Sequence, residues 1–212
     1  MPPLEGLSET LGLGISEAQS ELLMRFMALL QRWNGTYNLT AVRDPAQMLT
    51  QHLADCLAVV PALRRHREAS GTKRLLDVGS GGGLPGVVLA VLENDVSVTC
   101  VDTVGKKAAF VRQVAAELGL RNLHAEHARV EELKLPPFDI ITSRAFASLA
   151  DFTALTRRHL APGAVWMAMK GKRPDEEVAA LLPDIEVFHV EPLLVPGLDA
   201  ERCLVWMRPK PQ

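Results

Sequence analysis

An apolar strand, a glycine turn and an apolar helix follow one another in Leu75-Leu76-Asp77-Val78-Gly79-Ser80-Gly81-Gly82-Gly83-Leu84-Pro85-Gly86. Glycine in such a turn takes left-handed backbone angles and lets a ligand approach the main chain where a Cβ would stand in the way. A dinucleotide brings a pyrophosphate to the helix N-terminus and requires glycines spaced G-x-G-x-x-G. Counted from Gly79, the last place of that pattern is Leu84. The spacing from Asp77 is instead D-x-G-x-G-x-G. A carboxylate at the mouth of the turn repels phosphate and attracts a cationic ligand such as S-adenosylmethionine. Methyl transfer is therefore the first expectation, with Asp77, Gly79 and Gly81 at the cofactor. The competing role for Asp77 is to cap the following turn.

Asp102 ends the alternating run Val96 to Val101, 23 positions beyond Gly79. An acid about 20 residues past the glycine turn of a doubly wound sheet accepts hydrogen bonds from ribose hydroxyls. That role suits NAD and S-adenosylmethionine alike, and the plainer alternative is that Asp102 starts the next helix.

These residues need a parallel sheet to bring them together. Strands are expected near 74–78, 96–101, 123–127, 138–143 and 164–170 with helical stretches between them, which implies βαβ units. The last two, near 185–190 and 203–207, lack a helix between them and should pair as a hairpin. The expectation is an α/β, Rossmann-like fold of the S-adenosylmethionine-dependent methyltransferases, a mostly parallel seven-stranded sheet with helices on both faces. Upstream, Ser16 and Gln19 form a capping box for a helix carrying Leu22, Leu23, Phe26, Leu29, Leu30 and Trp33, which Asn34-Gly35 should end. Asp44-Pro45 opens another helix running to about Val60, and a polar, basic link spans Arg64 to Lys73. An N-terminal helical extension (1–70) and a cofactor-binding domain (71–212) are the expected parts, packed as one unit.

In such a sheet the ligand lies beyond the carboxyl ends of the strands. Site candidates are thus Gly79 to Leu84, Asp102, Ala128-Arg129-Val130-Glu131, Ser143-Arg144-Ala145-Phe146 and Lys170-Gly171-Lys172. Val130 and Glu131 could meet an adenine, although Glu131-Glu132 also reads as a short solvated helix. Arg144 could pair with the cofactor carboxylate or with an RNA phosphate.

Composition bounds the rest. The 212 residues, 48% of them apolar, suffice for one substantial core. No apolar run is long enough to span a membrane and no signal sequence opens the chain, so a cytoplasmic protein is expected. Cys56, Cys100 and Cys203 read as buried, reduced thiols, and the six histidines show no metal-ligand spacing, so no metal is expected. A net charge of −2 excludes coating nucleic acid by bulk charge. Four basic clusters stand out nonetheless: Arg64-Arg65-His66-Arg67, Lys106-Lys107, Arg157-Arg158-His159 and Lys170-Gly171-Lys172-Arg173. Each taken alone reads as a solvated surface. Missing motifs narrow the reaction further. Pro136-Pro137-Phe138 follows Leu135 and precedes its strand, unlike the acid- or amide-led motif of exocyclic-amine methyltransferases. No cysteine stands where a pyrimidine C5 nucleophile would. An acceptor that is already nucleophilic remains.

The runs Trp33 to Arg43, Asp77 to Gly86, Val101 to Lys107, Ser143-Arg144-Ala145-Phe146-Ala147-Ser148-Leu149 and Met169-Lys170-Gly171 resemble the motifs of the RsmG family, also called GidB (glucose-inhibited division protein B). The resemblance covers nearly the whole chain in order. It implies an S-adenosylmethionine-dependent enzyme that methylates N7 of one guanine in 16S rRNA, with 16S rRNA or the small ribosomal subunit as partner. It also implies cofactor contacts at Gly79, Leu84, Val130, Glu131 and Arg144. Gly82 departs from relatives that carry Ala or Pro, and should loosen the turn. Guanine N7 has a free lone pair and no proton to lose, so in-line positioning and exclusion of water matter more than a base. Asn38 is expected to orient the base through its amide, with Arg144 and Lys170 holding phosphates. Asn38 could equally cap its loop. A monomer is the expectation for the assembly. Two other classes compete: an NAD-dependent oxidoreductase, favoured by Asp102 and opposed by Leu84, and a non-catalytic RNA-binding protein, opposed by the intact Asp77 and Asp102.

Overall fold

A computed structural model describes residues 4–144, 146 and 148–211. Chain order is α1 (Leu4–Leu11), α2 (Glu17–Tyr37), α3 (Pro45–Met48), a π-helical segment (Leu49–Ala54), α4 (Asp55–Leu57), α5 (Val60–Ser70), β1 (Arg74–Val78), α6 (Gly86–Leu92), β2 (Ser97–Asp102), α7 (Gly105–Leu118), β3 (Leu123–His127), β4 (Phe138–Ser143), α8 (Leu149–Thr156), β5 (Leu160–Lys170), α9 (Asp175–Ala179), β6 (Ile185–Pro192) and β7 (Cys203–Pro209). The strands form one sheet in the order β3-β2-β1-β4-β5-β7-β6. β1 to β5 are parallel, and β7 runs antiparallel between β5 and β6. The order reverses between β1 and β4, so a crevice opens there beyond the carboxyl ends of the strands.

The expected sheet and its closing hairpin are present. β1 and β4 are buried along nearly their whole length, as strands covered by helices on both faces must be. One apolar cluster joins Leu23, Phe26 and Leu30 of α2, Leu53 and Leu57, Val87 and Leu89 of α6, and Val98 of β2. A second, on the other face, joins Leu76, Ile141, Phe152, Trp166 and Val205.

The helical segments differ from expectation at three places. α1 carries no strong cap signal and is absent from the sequence reading. α2 does not end at Asn34-Gly35 but continues to Tyr37, with Asn38 as its left-handed cap at φ 50°. Asn34 is buried, and its side chain is engaged outside its own helix: Nδ2 donates to Val42 O at 3.0 Å and Oδ1 accepts from Thr40 N at 2.8 Å. The supposed link from Arg64 is mostly α5, entered after a break at Ala58-Val59 with proline in its first turn. Its polar side chains are taken up by ion pairs, Arg64 and Arg67 with Glu93, Arg67 also with Asp95, and Arg65 with Glu191. The two expected N-terminal caps are present, Ser16 with a full capping box and Asp44 accepting from Gln47 N at 2.9 Å.

Gly86, the first residue of α6, sits against β2 and β1. A Cβ there would lie 2.4 Å from Cys100 Sγ and 2.9 Å from Asp77 Oδ2. Gly86→Ala should therefore cost about 1–3 kcal/mol by overpacking. Gly35→Ala, in α2 with nothing within 4 Å of the new Cβ, should gain about 0.4–1 kcal/mol. Urea unfolding of both variants checks the contrast.

Candidate active site

Strand β1 delivers Asp77 and Val78 to the crevice, and the chain then turns through Gly79, at φ +67°. Gly79 and Ser80 donate to Val101 O at 2.9 and 3.2 Å, which fastens the turn to β2. Asp102 fastens it from the side: Oδ2 accepts from Gly81 N at 2.9 Å and Oδ1 from Val104 N at 2.8 Å. Its carboxylate thus orients both the turn and the entry to α7, and each oxygen keeps a lone pair for a further donor.

Asp77 is not at the mouth of the turn. It is fully buried beneath it, and Oδ2 accepts from Gly86 N at 2.8 Å, at the positive end of α6. Oδ1 has no hydrogen-bond partner among the described residues. Burial pushes its carboxyl up to about 7, against the Gly86 N–H and the Arg144 charge, which pull it down.

A cavity of about 440 Å³ lies beyond β1, β2 and β3. Gly79, Asp102, Lys107, Val130, Glu131, Phe146 and Leu155 are in its wall. The structure therefore brings together Gly79, Asp102, Val130 and Glu131 of the expected cofactor set. Leu84 is buried in the core behind the turn, and Gly81 reaches the site through its N–H to Asp102. Leu30 of α2 packs over Gly82, where an added Cβ would come within 2.8 Å of its methyl, so glycine at this position gives the helix room to sit on the turn. Glu131 pairs with Arg129 at 3.0 Å.

A second cavity, of about 360 Å³, lies beyond β4 and β5. Arg144 and Lys170 line it, as expected of groups that position substrate, together with Gln51, His52, Asp55, Met169, Gly171 and Arg202. Asn38 lines neither cavity. Its backbone caps α2 in the left-handed conformation, and its Oδ1 accepts from Arg43 at 2.8 Å. Ala145, named with the loop after β4, lies outside the described residues.

Arg144 is the centre of a chain of contacts that reaches the N-terminal helices. Its Nη1 donates to Gln51 O at 3.1 Å, stands beside His52 Nδ1 and pairs with Asp55 at 3.4 Å. His52 Nε2 meets Thr40 Oγ1 at 2.8 Å, and Thr40 is tied to Asn34. Burial and the neighbouring guanidinium pull His52 down to about 4, so it is neutral near pH 7, and its Nδ1 lies 3.3 Å from Arg144 Nη1 and 3.1 Å from Gln51 O. This explains Asn34 and Thr40 of the Trp33 to Arg43 run. They fix the loop that holds His52. His52 and Asp55 stand three apart, on one helical face, and that spacing was the signal for them. Arg202 had none, because only the antiparallel β5–β7 pairing carries it to the end of β5.

The basic clusters divide between the two ends of the sheet. Arg64 and Arg67 lie toward the amino end, matched by Glu93 and Asp95, while Arg65 pairs with Glu191 near the end of β6, level with the end of β5. At the amino end Arg157 pairs with Asp184 and His159 is buried against Val130 O. Lys106-Lys107 and Lys170 to Arg173 lie at the carboxyl end, beside the cavities. The three cysteines are buried and unpaired. No helix among the described residues is long and apolar enough to cross a membrane.

The fold and the crevice define the class I, Rossmann-like fold of the S-adenosylmethionine-dependent methyltransferases. Solved structures bear this out at the level of fold: TrmN from Thermus thermophilus (TM-score 0.55, 23% identity, 72% of this chain and 48% of that one) and a ribosomal protein L11 methylase from Lactobacillus delbrueckii subsp. bulgaricus (TM-score 0.56, 14% identity, 74% and 77%). The GidB family model, described as rRNA small subunit methyltransferase G, matches residues 19–205. Proteins called ribosomal RNA small subunit methyltransferase G are 61% identical in Acidovorax sp. strain JS42 (95% of this chain, 92% of that one) and 62% identical in Leptothrix cholodnii (96% and 93%). The chain belongs to the GidB family.

The buried acid makes a pH prediction. Folded Asp77 holds its proton up to about pH 7, whereas the unfolded chain releases it near 3.8, so its contribution to stability falls as pH rises through that window. His52 acts in the opposite sense, costing stability as pH falls from 6.5 toward 4. Asp77→Asn keeps an acceptor for Gly86 N–H and removes the titration. Relative to wild type it should therefore gain stability between pH 5 and pH 8, measured by urea unfolding at both pH values. An unchanged difference would show that Asp77 is ionised throughout.

Proposed function

We propose that this chain transfers a methyl group from S-adenosylmethionine to N7 of a guanine in 16S rRNA. The carrying observation is the cavity at the reversal of strand order, built by a glycine turn and the Asp102 carboxylate, in a member of a family described as rRNA small subunit methyltransferases. The residues fit the cofactor. Asp102 offers its remaining lone pairs to ribose hydroxyls. Val130, Phe146 and Leu155 give a flat base apolar contact, and Glu131 adds an acceptor. Space is open before Gly79, where a Cβ would meet nothing within 4 Å, so main chain and ligand can approach closely. Arg144, in the wall of the second cavity, has the fork geometry to take the cofactor carboxylate.

Bound there, S-adenosylmethionine supplies an electrophilic methyl group on a sulfonium. Guanine N7 attacks it with a lone pair already free, so the protein needs no general base. What the chain contributes is orientation and water exclusion. The guanine must be unpaired or turned out of a helix to reach the crevice. Lys106, Lys107, Lys170, Lys172 and Arg173, all at the carboxyl end, favour approach of RNA to that face.

Small ribosomal subunits lacking the modification, incubated with labelled S-adenosylmethionine and cleaved at N7-methylguanine, test the reading. Label at one guanine of 16S rRNA is expected. Label elsewhere, or none, would overturn the N7 assignment. Gly79→Ala places a Cβ at φ +67° and toward the cofactor. It should cost about 1–2 kcal/mol of stability and reduce methyl transfer at least a hundredfold, with cofactor affinity lost in calorimetry.

A further inference from the structure

The second cavity is lined mainly by charged and polar groups. Among the described residues Met169 is its one apolar side chain and the His52 imidazole its one ring. Three cations converge here. Arg202 Nε donates to Asp55 Oδ1 at 2.8 Å, and Arg144 Nη1 reaches Asp55 Oδ2 at 3.4 Å. The Asp55 side chain is only 3% exposed, so a single buried carboxylate anchors two guanidiniums. Arg202 Nη1 also donates to Glu201 O at 2.9 Å, and Arg144 Nη1 to Gln51 O at 3.1 Å, so each guanidinium is held in place by more than one partner. Lys170 Nζ stands across the cavity, paired with Glu177 at 2.8 Å. His52, neutral near pH 7, adds no charge. Three cations against two carboxylates leave an excess positive charge in a partly enclosed space.

Arg202 arrives by topology. In the antiparallel pairing Lys170 lies opposite Cys203, so the residue before β7 is delivered to the end of β5. Leu193 N donates to Arg202 O at 2.7 Å, which closes the base of the β6–β7 loop.

We propose that Arg202, anchored by Asp55, and Lys170 form a subsite for a backbone phosphate of the RNA beside the target base, separate from the cofactor cavity. The inference rests on the rRNA methyltransferase reading. A carboxylate on the cofactor has the same anion chemistry, and the two sources separate in a salt experiment. A phosphate contact contributes to the salt dependence of RNA affinity through counterion release, about one unit of slope per contact, and a cofactor contact does not.

Binding of small ribosomal subunits lacking the modification is measured against salt concentration for wild type, Arg202→Gln and Lys170→Gln. Cofactor dissociation constants are taken by calorimetry and folding is checked by thermal melting. Each variant should bind the particle about tenfold more weakly, with the slope of log affinity against log salt reduced by about one and cofactor affinity within twofold of wild type. If Arg202→Gln unfolds because Asp55 loses a partner, Lys170→Gln carries the test, since Glu177 stands at the rim. A tenfold loss of cofactor affinity with an unchanged salt slope would assign the cavity to the cofactor carboxylate and overturn the proposal. Unchanged slope and affinities in a protein that binds the particle would overturn it alone. A wild-type protein without affinity for the particle would overturn the functional reading, and this subsite with it.

Discussion

Asp77 Oδ2 accepts the Gly86 N–H at 2.8 Å in an interior from which water is excluded, and the position of the glycine turn follows from that bond. A carboxyl group without solvent must be satisfied locally or neutralised. Here the N-terminus of α6 does part of the work, through one N–H and the dipole behind it. Gly86 is required because any side chain would collide with the acid it caps and with Cys100. The turn above is thereby held at both ends: Asp77 fixes where it enters α6, and Asp102 fixes Gly81 against β2. Two acids expected to face a ligand thus act first on the backbone, and what they offer a ligand is what those bonds leave over.

Charge is arranged differently at the two ends of the sheet. At the amino end Arg64 and Arg67 meet the buried Glu93, with Asp95 and Lys73 outside it, so the network is closed on itself. At the carboxyl end one buried aspartate serves two arginines. Exposed ion pairs contribute little to stability, but a buried carboxylate with a partner removed is expensive. The carboxyl end is consequently both stable and positively biased, a condition suited to a polyanionic partner.

The N-terminal helices belong to the same arrangement. α2 packs Phe26 and Trp33 against Phe110 of α7 and Leu30 against Gly82. Its C-terminal loop, held by Asn34, positions His52, and His52 in its neutral form stands beside Arg144 without adding charge. Burial makes this proximity possible: an exposed histidine would keep its ordinary affinity for a proton and repel the guanidinium.

Local pattern was enough to read the parallel strands, the closing hairpin, the Ser16 and Asp44 caps, and the presence of Gly79, Asp102, Val130 and Glu131 at the crevice. Each of these depends on residues close in the chain, on runs of apolar residues or on the rule that strand ends face the ligand. The helix around Asn34-Gly35 and the supposed link at Arg64 were misread because their outcome lies in partners outside their own helices, Val42 and Thr40 for Asn34, and Glu93, Asp95 and Glu191 for the arginines. Asp77 was expected at the mouth of the turn, and its burial beneath the turn could be known only once α6 was in place. The union of Asp55, Arg144, Lys170 and Arg202 belongs wholly to the tertiary structure. Sequence separations of 147 between Asp55 and Arg202 and 89 between Asp55 and Arg144 leave no local signal, and only the crossover order of the sheet brings a helix, two parallel strands and an antiparallel return to one edge.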